Sequence, residues 1–444
     1  MDIDRLFNRG KELGIEDMEV YVVEKSSTKF KIYKGELENQ NISKEKALSL
    51  RGVYNGKMGY SYTEKLTEDS IDELISNLIQ YAQCNEREYV ERLSGHVKIE
   101  RKDRANRLNQ YDDEKKISFL KSIEKMAYSM DERVYLVQTC NYEEYENTVY
   151  IKNTKGLELK DSYGAAIISL FVVAKDNDDT QTGYSHRVID DLLEEDKTAL
   201  VDEAVKDAVN MLGASSIPSG NYKVILRNNV AADLFGTMVP VFLANMVQEN
   251  MSLMKGKIGE QVGSDLLNIV EDPFLKRGII NRMFDDEGTP TFTKHIIKNG
   301  ILKTILHNNK TAEKDGIKST GNGFRTSHKS TIGVMPTNIY IEMGNNTLEE
   351  MIRSIDTGVL VTDIQGLHAG INTVSGEISL SSNGYYIEDG KITKPVNQIT
   401  IAGNFYDMIK RIEALGDDIG FSISGNYYFV SPSMIIDRLT VSGN

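Results

Sequence analysis

The sequence has no tryptophan and contains few cysteines, prolines and histidines. Its 444 residues include 2 Cys, 7 Pro and 6 His. Cys84 and Cys140 are too few for a disulfide framework or for a structural zinc site built on thiolates, and they fit a reducing compartment. The scarcity of proline, together with 40% apolar and 27% charged residues, excludes a disordered or collagen-like chain.

The sequence also lacks a long apolar run and an excess of positive charge. No stretch reaches about 18 consecutive apolar residues, and the first twenty residues carry acidic side chains where a secretory signal needs basic ones. The sequence has 52 Lys and Arg residues and 66 Asp and Glu residues, so its formal net charge is -14. Such a negative charge repels a phosphate backbone. We therefore expect a cytoplasmic protein with no nucleic-acid partner and no membrane partner.

Two similar units are predicted in the first half of the chain. Apolar spacing predicts a helix over 2–14, a β meander to about residue 64, and a helix ending near Ala82. After a charged connection at 85–113, the pattern repeats as a helix over 116–130, further strands and a helix ending near Leu212. The repeated sequences GELENQ and GLELKD, and GYSYT and GYSHR, indicate either a duplicated unit or two convergent meanders.

The second half has a different pattern. A Pro and Gly boundary at 215–220 precedes short β runs and one predicted helix over Phe405–Leu415, which favours a large, curved antiparallel sheet. The length itself favours two or three domains. The predicted fold class is α+β, with two smaller helix-plus-antiparallel-sheet units at 1–95 and 96–215 and a large β-rich antiparallel domain at 216–444.

Local catalytic motifs are absent from the sequence. No two histidines lie three to five residues apart, and no P-loop, GxGxxG or GxSxG pattern occurs. Two acidic clusters remain. For 285–287 a turn is favoured over a metal site, because Asp bonds to nearby backbone amides in turns. Asp417 and Asp418 follow the predicted 405–415 helix. Negative charge at the C-terminus of a helix opposes the helix dipole, so we interpret these two residues as serving function rather than stability.

Longer motifs identify a family. The segment TDIQGLHAGINTVSGEISL, which begins at Thr362, and the following GYYIEDGKITKPVNQITIAGNFYDMIKRIEALGDD resemble the TldD/TldE family, also called PmbA. FGTMVP, FDDEGTPT, KSTGNGFR and PTNIY occur in the family's order. The resemblance covers the third domain most strongly, and the first two through GELEN, RGVYNGKMGYSYT and GLELKDSYG.

This resemblance implies a subunit of a cytoplasmic metal-dependent peptidase, in which TldD-type and TldE-type chains enclose a peptide-cleaving chamber. TldD-type chains carry HExxxH and a distal cysteine ligand. The corresponding stretch here is Thr237–Phe242, TMVPVF, and GDDIGFSISGNYYF contains no cysteine. The resemblance thus implies a TldE-like subunit with no catalytic residue and no metal or cofactor of its own. Zinc is expected on a TldD-type partner, and a homodimer is the alternative when the chain is alone.

The implied substrate is a peptide or an unfolded protein. Extended peptides add to a sheet edge through backbone hydrogen bonds, and glycines allow close backbone approach. Turn formation is an equally good explanation for any single glycine. The residues predicted to contact the peptide channel or the partner are Gly366, His368, Gly370, Asn372, Gly376, Ser381, Ser382, Asn383 and Gly384.

Two alternatives to the non-catalytic subunit described above remain open from the sequence. The first is a free-standing peptide-binding or regulatory protein, in line with the family's older label of gyrase modulator. A hydrolase that uses scattered Asp, Ser and His residues is less favoured, because no nucleophile and base are paired locally.

Overall fold

The computed structural model describes residues 1–85, 92–99, 107–424 and 427–443. The fold is α+β, as predicted. The α-helices are α1 Ile3–Glu12, α2 Ile71–Cys84, α3 Asp113–Met130, α4 Glu194–Asn210, α5 Asn228–Met238, α6 Ala244–Gln248, α7 Asn309–Asp315, α8 Leu348–Arg353, α9 Leu367–Gly370 and α10 Phe405–Met408.

Strands form the larger part of the regular structure. The first six are β1 Ile15–Tyr33, β2 Glu36–Tyr54, β3 Lys57–Thr63, β4 Val134–Asn153, β5 Glu158–Asp176 and β6 Asp179–Ile189. The next seven are β7 Gly220–Leu226, β8 Ile269–Glu271, β9 Lys294–Lys298, β10 Ile301–Leu302, β11 Gly323–Phe324, β12 Gly333–Val334 and β13 Asn338–Ile341. The last seven are β14 Thr357–Gln365, β15 Glu377–Glu388, β16 Lys391–Asn404, β17 Ile412–Leu415, β18 Gly420–Ser424, β19 Tyr427–Ser431 and β20 Met434–Ser442.

The two predicted N-terminal units share one antiparallel sheet. Each unit has the order helix, three strands, helix, and the strand order across the sheet is β3-β2-β1-β4-β5-β6. The join is the pairing of β1 with β4, from Glu19 opposite Asn153 to Ile32 opposite Cys140. The predicted connection at 85–113 lies partly outside the described residues, and its described part contains only a short 3₁₀ turn before α3.

The two GYS sequences occupy equivalent positions in the shared sheet. Gly59 lies on the edge strand β3, where a Cβ atom would collide with the carbonyl oxygen of Leu78 in α2. Gly183 lies on the opposite edge strand β6, where a Cβ atom would collide with the carbonyl oxygen of Ala204 in α4. Each glycine therefore lets the last helix of its unit pack closely on the face of the edge strand.

The third unit contains two larger sheets rather than one. One has the order β16-β15-β14-β7-β20-β17 and the other β10-β9-β8-β13-β19-β18, while β11 and β12 form a small ribbon. The unit is β-rich and mainly antiparallel, as predicted, but β7 with β14 and β13 with β19 are parallel pairs. The larger core of this unit is made mostly of aliphatic side chains and lies around α5 and both sheets. A smaller buried cluster lies around Met351 and Ile355.

The predicted helix over Phe405–Leu415 is wrong in its second half. Asn404 caps α10 by accepting a hydrogen bond from the Tyr406 amide, but α10 ends at Met408 and a 3₁₀ turn follows. Residues 412–415 then form β17, which pairs with β20. Strand pairing thus outweighs the apolar spacing that suggested a helix. Within the described ranges, no helix is long and apolar enough to cross a membrane.

Candidate functional site

A large cavity lies where the second unit meets the third. Its volume is about 1250 Å³. The second unit contributes β6 and one side of α4, and the third unit contributes the start of α5, the end of β14 and the strands β18 and β19. The cavity thus depends on residues that are more than two hundred positions apart in the sequence.

Two edge strands border this cavity. Residues 181–188 of β6 line it, and β6 is the last strand of the N-terminal sheet. Residues 420–423 of β18 line it as well, and β18 is the last strand of its own sheet. In the described part of the chain, β6 pairs only with β5 and β18 only with β19. An edge strand carries backbone N–H and C=O groups that can pair with another extended chain.

The arginines of the cavity wall are held in ion pairs. Arg227 donates two hydrogen bonds to Asp207, at 2.7 Å and 2.6 Å. Arg187 lies 2.7 Å from a carboxylate oxygen of Glu203. Although burial alone would raise it, the pKa of Glu203 is lowered, because Arg187 and Arg227 favour the charged carboxylate. These pairs join α4 to β6 and to the start of α5.

Asp233 of α5 has a different environment. Its carboxylate accepts a hydrogen bond from the Ser422 hydroxyl of β18. Burial raises the pKa of Asp233 to about 6, and the charge of nearby Asp363 adds to that shift. Asp363 accepts hydrogen bonds from the side-chain amides of Gln365, at 3.1 Å, and Asn383, at 3.3 Å. Asp233 is therefore a carboxyl group that changes charge close to neutral pH.

Replacing Asp233 by asparagine is expected to change the pH dependence of stability. Because the folded pKa of about 6 lies above the ordinary value of 3.8, the fold favours the protonated group. Its favourable contribution is complete below about pH 4 and is lost as the pH rises through 6. Relative to wild type, Asp233→Asn should gain about 2 kcal/mol of unfolding free energy between pH 4 and pH 7. Urea unfolding at both pH values measures this.

A matched control is Glu249→Gln, which removes one exposed carboxylate that does not line the cavity. If the two variants respond equally to pH, the assignment of a raised pKa to Asp233 is wrong.

Aromatic rings cover another part of the cavity wall. His186 of β6 contacts Tyr184, with ring centroids 5.3 Å apart, and Phe421 of β18, with centroids 4.4 Å apart. Burial and the charge of Arg187 lower the pKa of His186 to about 4, so its imidazole is neutral at pH 7. Phe421 also contacts Tyr428 at 5.5 Å. The two edge strands therefore meet through aromatic contacts.

The side chains around the cavity do not fit a metal centre. Of the carboxylates that line the cavity, Glu203, Asp207 and Asp196 are paired with arginines and Glu143 with Lys29. This leaves His186, Glu195, Asp233 and Asp363 as possible donors. Among all residues that the structure describes, no three His, Cys, Asp or Glu side chains come together so that they could hold a metal ion. Zinc and similar ions need at least three such protein ligands.

The segment TMVPVF lies at the end of α5 and in the 3₁₀ turn after it. Met238, Val239, Val241 and Phe242 are buried in the core of the third unit. None of the six residues 237–242 lines the large cavity. The residues of this helix that line the cavity are Asn228, Asn229 and Asp233, all earlier in α5.

The four predicted glycines have distinct positions. Gly366 adopts φ +82° and begins α9, which ends at Gly370. Gly376 has φ +78° and lies against the ring of Tyr406. Gly384 lies on β15, so close to β14 that a Cβ atom would collide with the Leu360 carbonyl oxygen. The turn explanation suits Gly366 and Gly376, whereas Gly384 allows close strand packing.

The other five predicted residues lie on α9, in the loop after it or on β15. His368, Asn372 and Ser381 are exposed. Ser382 is buried and donates a hydrogen bond to the Leu380 carbonyl oxygen. Asn383 is the only one of the nine predicted residues that lines the large cavity. Whether the others contact a peptide or a partner stays a prediction.

Both acidic clusters have structural roles. Asp285 accepts hydrogen bonds from the amides of Glu287, Thr289 and Gly323, and Gly288 has φ +76°, so the favoured turn interpretation agrees with the geometry. Asp418 accepts hydrogen bonds from the amide and hydroxyl of Ser433. The dipole argument for Asp417 and Asp418 is wrong, because a strand and not a helix precedes them.

Sequence reasoning missed most of the cavity wall. Asp233, His186 and Phe421 belong to three different elements, and no short motif connects them. The one available signal is the sequence GYSHR, which contains His186 and the buried Ser185. Its similarity to GYSYT predicts a repeated unit but not a cavity.

Comparisons with known proteins agree with this fold. Three family models match in sequence order: PmbA/TldA metallopeptidase domain 1 at residues 18–82, the central domain at 106–212 and the C-terminal domain at 219–443. The crystal structure of TldE from Thermococcus kodakarensis superposes with a TM-score of 0.91 and 22% identity, over 99% of this chain and 100% of that one. At this identity the likeness concerns the fold alone.

Curated relatives with both subunit names are similar to this chain. A metalloprotease PmbA homolog from Buchnera aphidicola is 28% identical over 74% of this chain and 70% of its own length. A metalloprotease TldD homolog from Haemophilus influenzae is 27% identical over 90% of this chain and 87% of its own length. Overall identity therefore does not separate relatives named PmbA from relatives named TldD. With its three domains matched over most of its length, the chain belongs to the PmbA/TldD metallopeptidase family and has a peptidase-related role.

Proposed function

We propose that this chain is a PmbA/TldE-type subunit of a two-chain cytoplasmic metallopeptidase. It carries no metal site, associates with a TldD-type chain and forms part of the wall of a chamber in which peptides are cleaved. The substrate is an extended peptide or an unfolded segment of a protein.

The observation that carries this proposal is the composition of α5. This helix reaches the cavity, and its sequence NNVAADLFGTM offers Asp233 as its single ionisable side chain. A metallopeptidase helix of the HExxxH type needs two imidazoles one turn apart and a carboxylate base. After α5 the chain enters the core with Val239, Val241 and Phe242, which are apolar. The metal chemistry is therefore assigned to the partner chain.

The edge strands support a role in holding a peptide. Both β6 and β18 face the cavity, and each has one side that pairs with no strand in the described residues. A peptide that adds to either strand is bound through backbone groups, which all sequences share. Such binding suits a chamber that accepts many unfolded substrates.

Co-expression with a TldD-type chain from the same organism tests the proposal. We expect the two chains to co-purify, zinc to be present in the complex, and hydrolysis of unstructured peptides to need both chains. This chain alone should contain no stoichiometric zinc and cleave no peptide. Elemental analysis and a peptide-cleavage assay measure these results.

Two variants sharpen the assignment. Replacing the histidines of the partner's HExxxH by alanine should remove zinc and activity while the chains still co-purify. Asp233→Asn in this chain should leave the zinc content of the complex unchanged. One equivalent of zinc on the isolated chain, or zinc lost through Asp233→Asn, would refute the proposal.

A further inference from the structure

The arginines of the cavity wall are already paired with carboxylates. Arg187 pairs with Glu203 and Arg227 with Asp207. Arg277 pairs with Asp196, through hydrogen bonds of 2.7 Å and 3.0 Å, and with Asp190 at 3.1 Å. Lys276 and Glu195 also line the cavity, and both side chains are exposed. No arginine of the wall is thus left to attract a carboxylate.

Apart from the exposed Glu195, two carboxylates of the wall have no cationic partner in the described part of the chain. Asp233 interacts with the neutral Ser422, and Asp363 with the neutral Gln365 and Asn383. Their charges affect each other, since Asp363 contributes to the raised pKa of Asp233. A cation that enters the cavity would relieve the repulsion between the two carboxylates. The arginines of the wall are already paired and do not compete with it for these carboxylates.

The aromatic wall is also suited to a cation. Tyr184 and Phe421 lie on the two edge strands and line the same cavity as the two carboxylates, and Tyr184 is half exposed. The faces of such rings attract ammonium and guanidinium groups, and their surfaces also accommodate the hydrocarbon stem of lysine or arginine.

We propose that Asp233 and Asp363 make this cavity select peptides with a positively charged side chain. The backbone lies along an edge strand, and a lysine or arginine side chain reaches the two carboxylates. This inference rests on the proposed function, because it assigns a preference to the same cavity that is proposed to hold the peptide.

Peptide binding to the purified full-length chain tests this selectivity. The probes are labelled, end-blocked Gly/Ser peptides that differ at one central residue, which is lysine, norleucine or glutamate. Norleucine keeps the hydrocarbon stem of lysine and removes its charge. By fluorescence anisotropy, the lysine peptide should bind about tenfold more tightly than the norleucine peptide, and the glutamate peptide more weakly than both.

The variant with Asp233→Asn and Asp363→Asn should lose this preference. Its affinity for the norleucine peptide should stay within about twofold of wild type, which also shows that the cavity is still folded. The control variant with Glu249→Gln and Glu388→Gln removes two exposed charges outside the cavity and should keep the preference. Equal affinity of wild type for lysine and norleucine peptides, or a preference that survives in the cavity variant, would overturn the inference.

The outcome is separable from that of the proposed function. If the chain forms an active complex with a TldD-type partner but shows no charge preference, only the selectivity is refuted. If the preference is present but no TldD-type chain co-purifies, the selectivity stands and the two-chain peptidase is refuted.

Discussion

Replacing Arg51 by alanine should destabilise the protein by about 3–5 kcal/mol, because the change leaves carboxylates buried without their cation. Arg51 is fully buried on β2, and its Nε donates a hydrogen bond of 2.8 Å to Glu19 on β1. Glu19 also accepts a hydrogen bond of 3.0 Å from Asn153 on β4. The Arg51 guanidinium lies 3.9 Å from Glu287 in the third unit. The Arg51–Glu19 pair therefore connects both halves of the shared sheet with the third unit.

Urea unfolding followed by tyrosine fluorescence measures this effect, since the chain has 22 Tyr and no Trp. The control is Lys206→Ala, which removes an exposed helical ion pair with Asp202 and should cost at most about 0.5 kcal/mol. A loss for Arg51→Ala no larger than that of the control would show that the buried network does not hold the units together.

Local patterns predicted the helices that pack on the shared sheet. Residues 71, 74, 75, 78 and 79 form an apolar stripe. The first four are buried in α2 against β1 and β2, and Ile79 is half-buried against the same core. The stripe is visible in sequence because a helix brings residues three and four apart onto one face. The repeated glycines of GYSYT and GYSHR were visible for a similar local reason, although their packing role was not.

Strand lengths were not predictable in the same way. Apolar patterning predicts separate strands for the runs MEVYVVEK and TKFKIYKG, with the polar residues Ser26 and Ser27 between them, yet β1 is continuous. Its polar middle is held by ladders on both sides, to β2 and to β4. A strand with two partners tolerates polar residues that would end an isolated one, and its partners are distant in sequence.

The candidate site was even less accessible from sequence. Asp233 has an ordinary pKa in an unfolded chain, and its shift arises only where α5 meets β18 and Asp363. The predicted glycine-rich segment stands out by its composition, and of its nine predicted residues only Asn383 lines the cavity. Composition identifies a flexible or tightly packed backbone, whereas a cavity is a property of how separate elements meet.

Replacing Glu271 by alanine should have a comparably large effect on the sheet that ends at the cavity. Glu271 is fully buried on β8, and its carboxylate lies 2.6 Å from the Lys294 ammonium of β9. It also accepts hydrogen bonds of 2.7 Å from the Asn322 side chain and the Thr337 amide. Alanine would leave the buried Lys294 without its carboxylate, at a cost of about 3–5 kcal/mol in unfolding free energy.

A double variant separates the charge effect from a general loss of packing. Replacing both Glu271 and Lys294 by methionine removes the ion pair and retains most of the side-chain volume, so its loss should be well below that of Glu271→Ala. Urea unfolding of the wild type, the single variant and the double variant gives the comparison. A double variant as unstable as Glu271→Ala would show that the hydrogen bonds to Asn322 and Thr337, and not the unpaired lysine, determine the effect.

The network around Glu271 joins β8 and β9 to the start of β13. Strand β13 pairs with β19, and β19 pairs with β18 at the cavity. Loss of the network should therefore also reduce the affinity of the cavity for peptides.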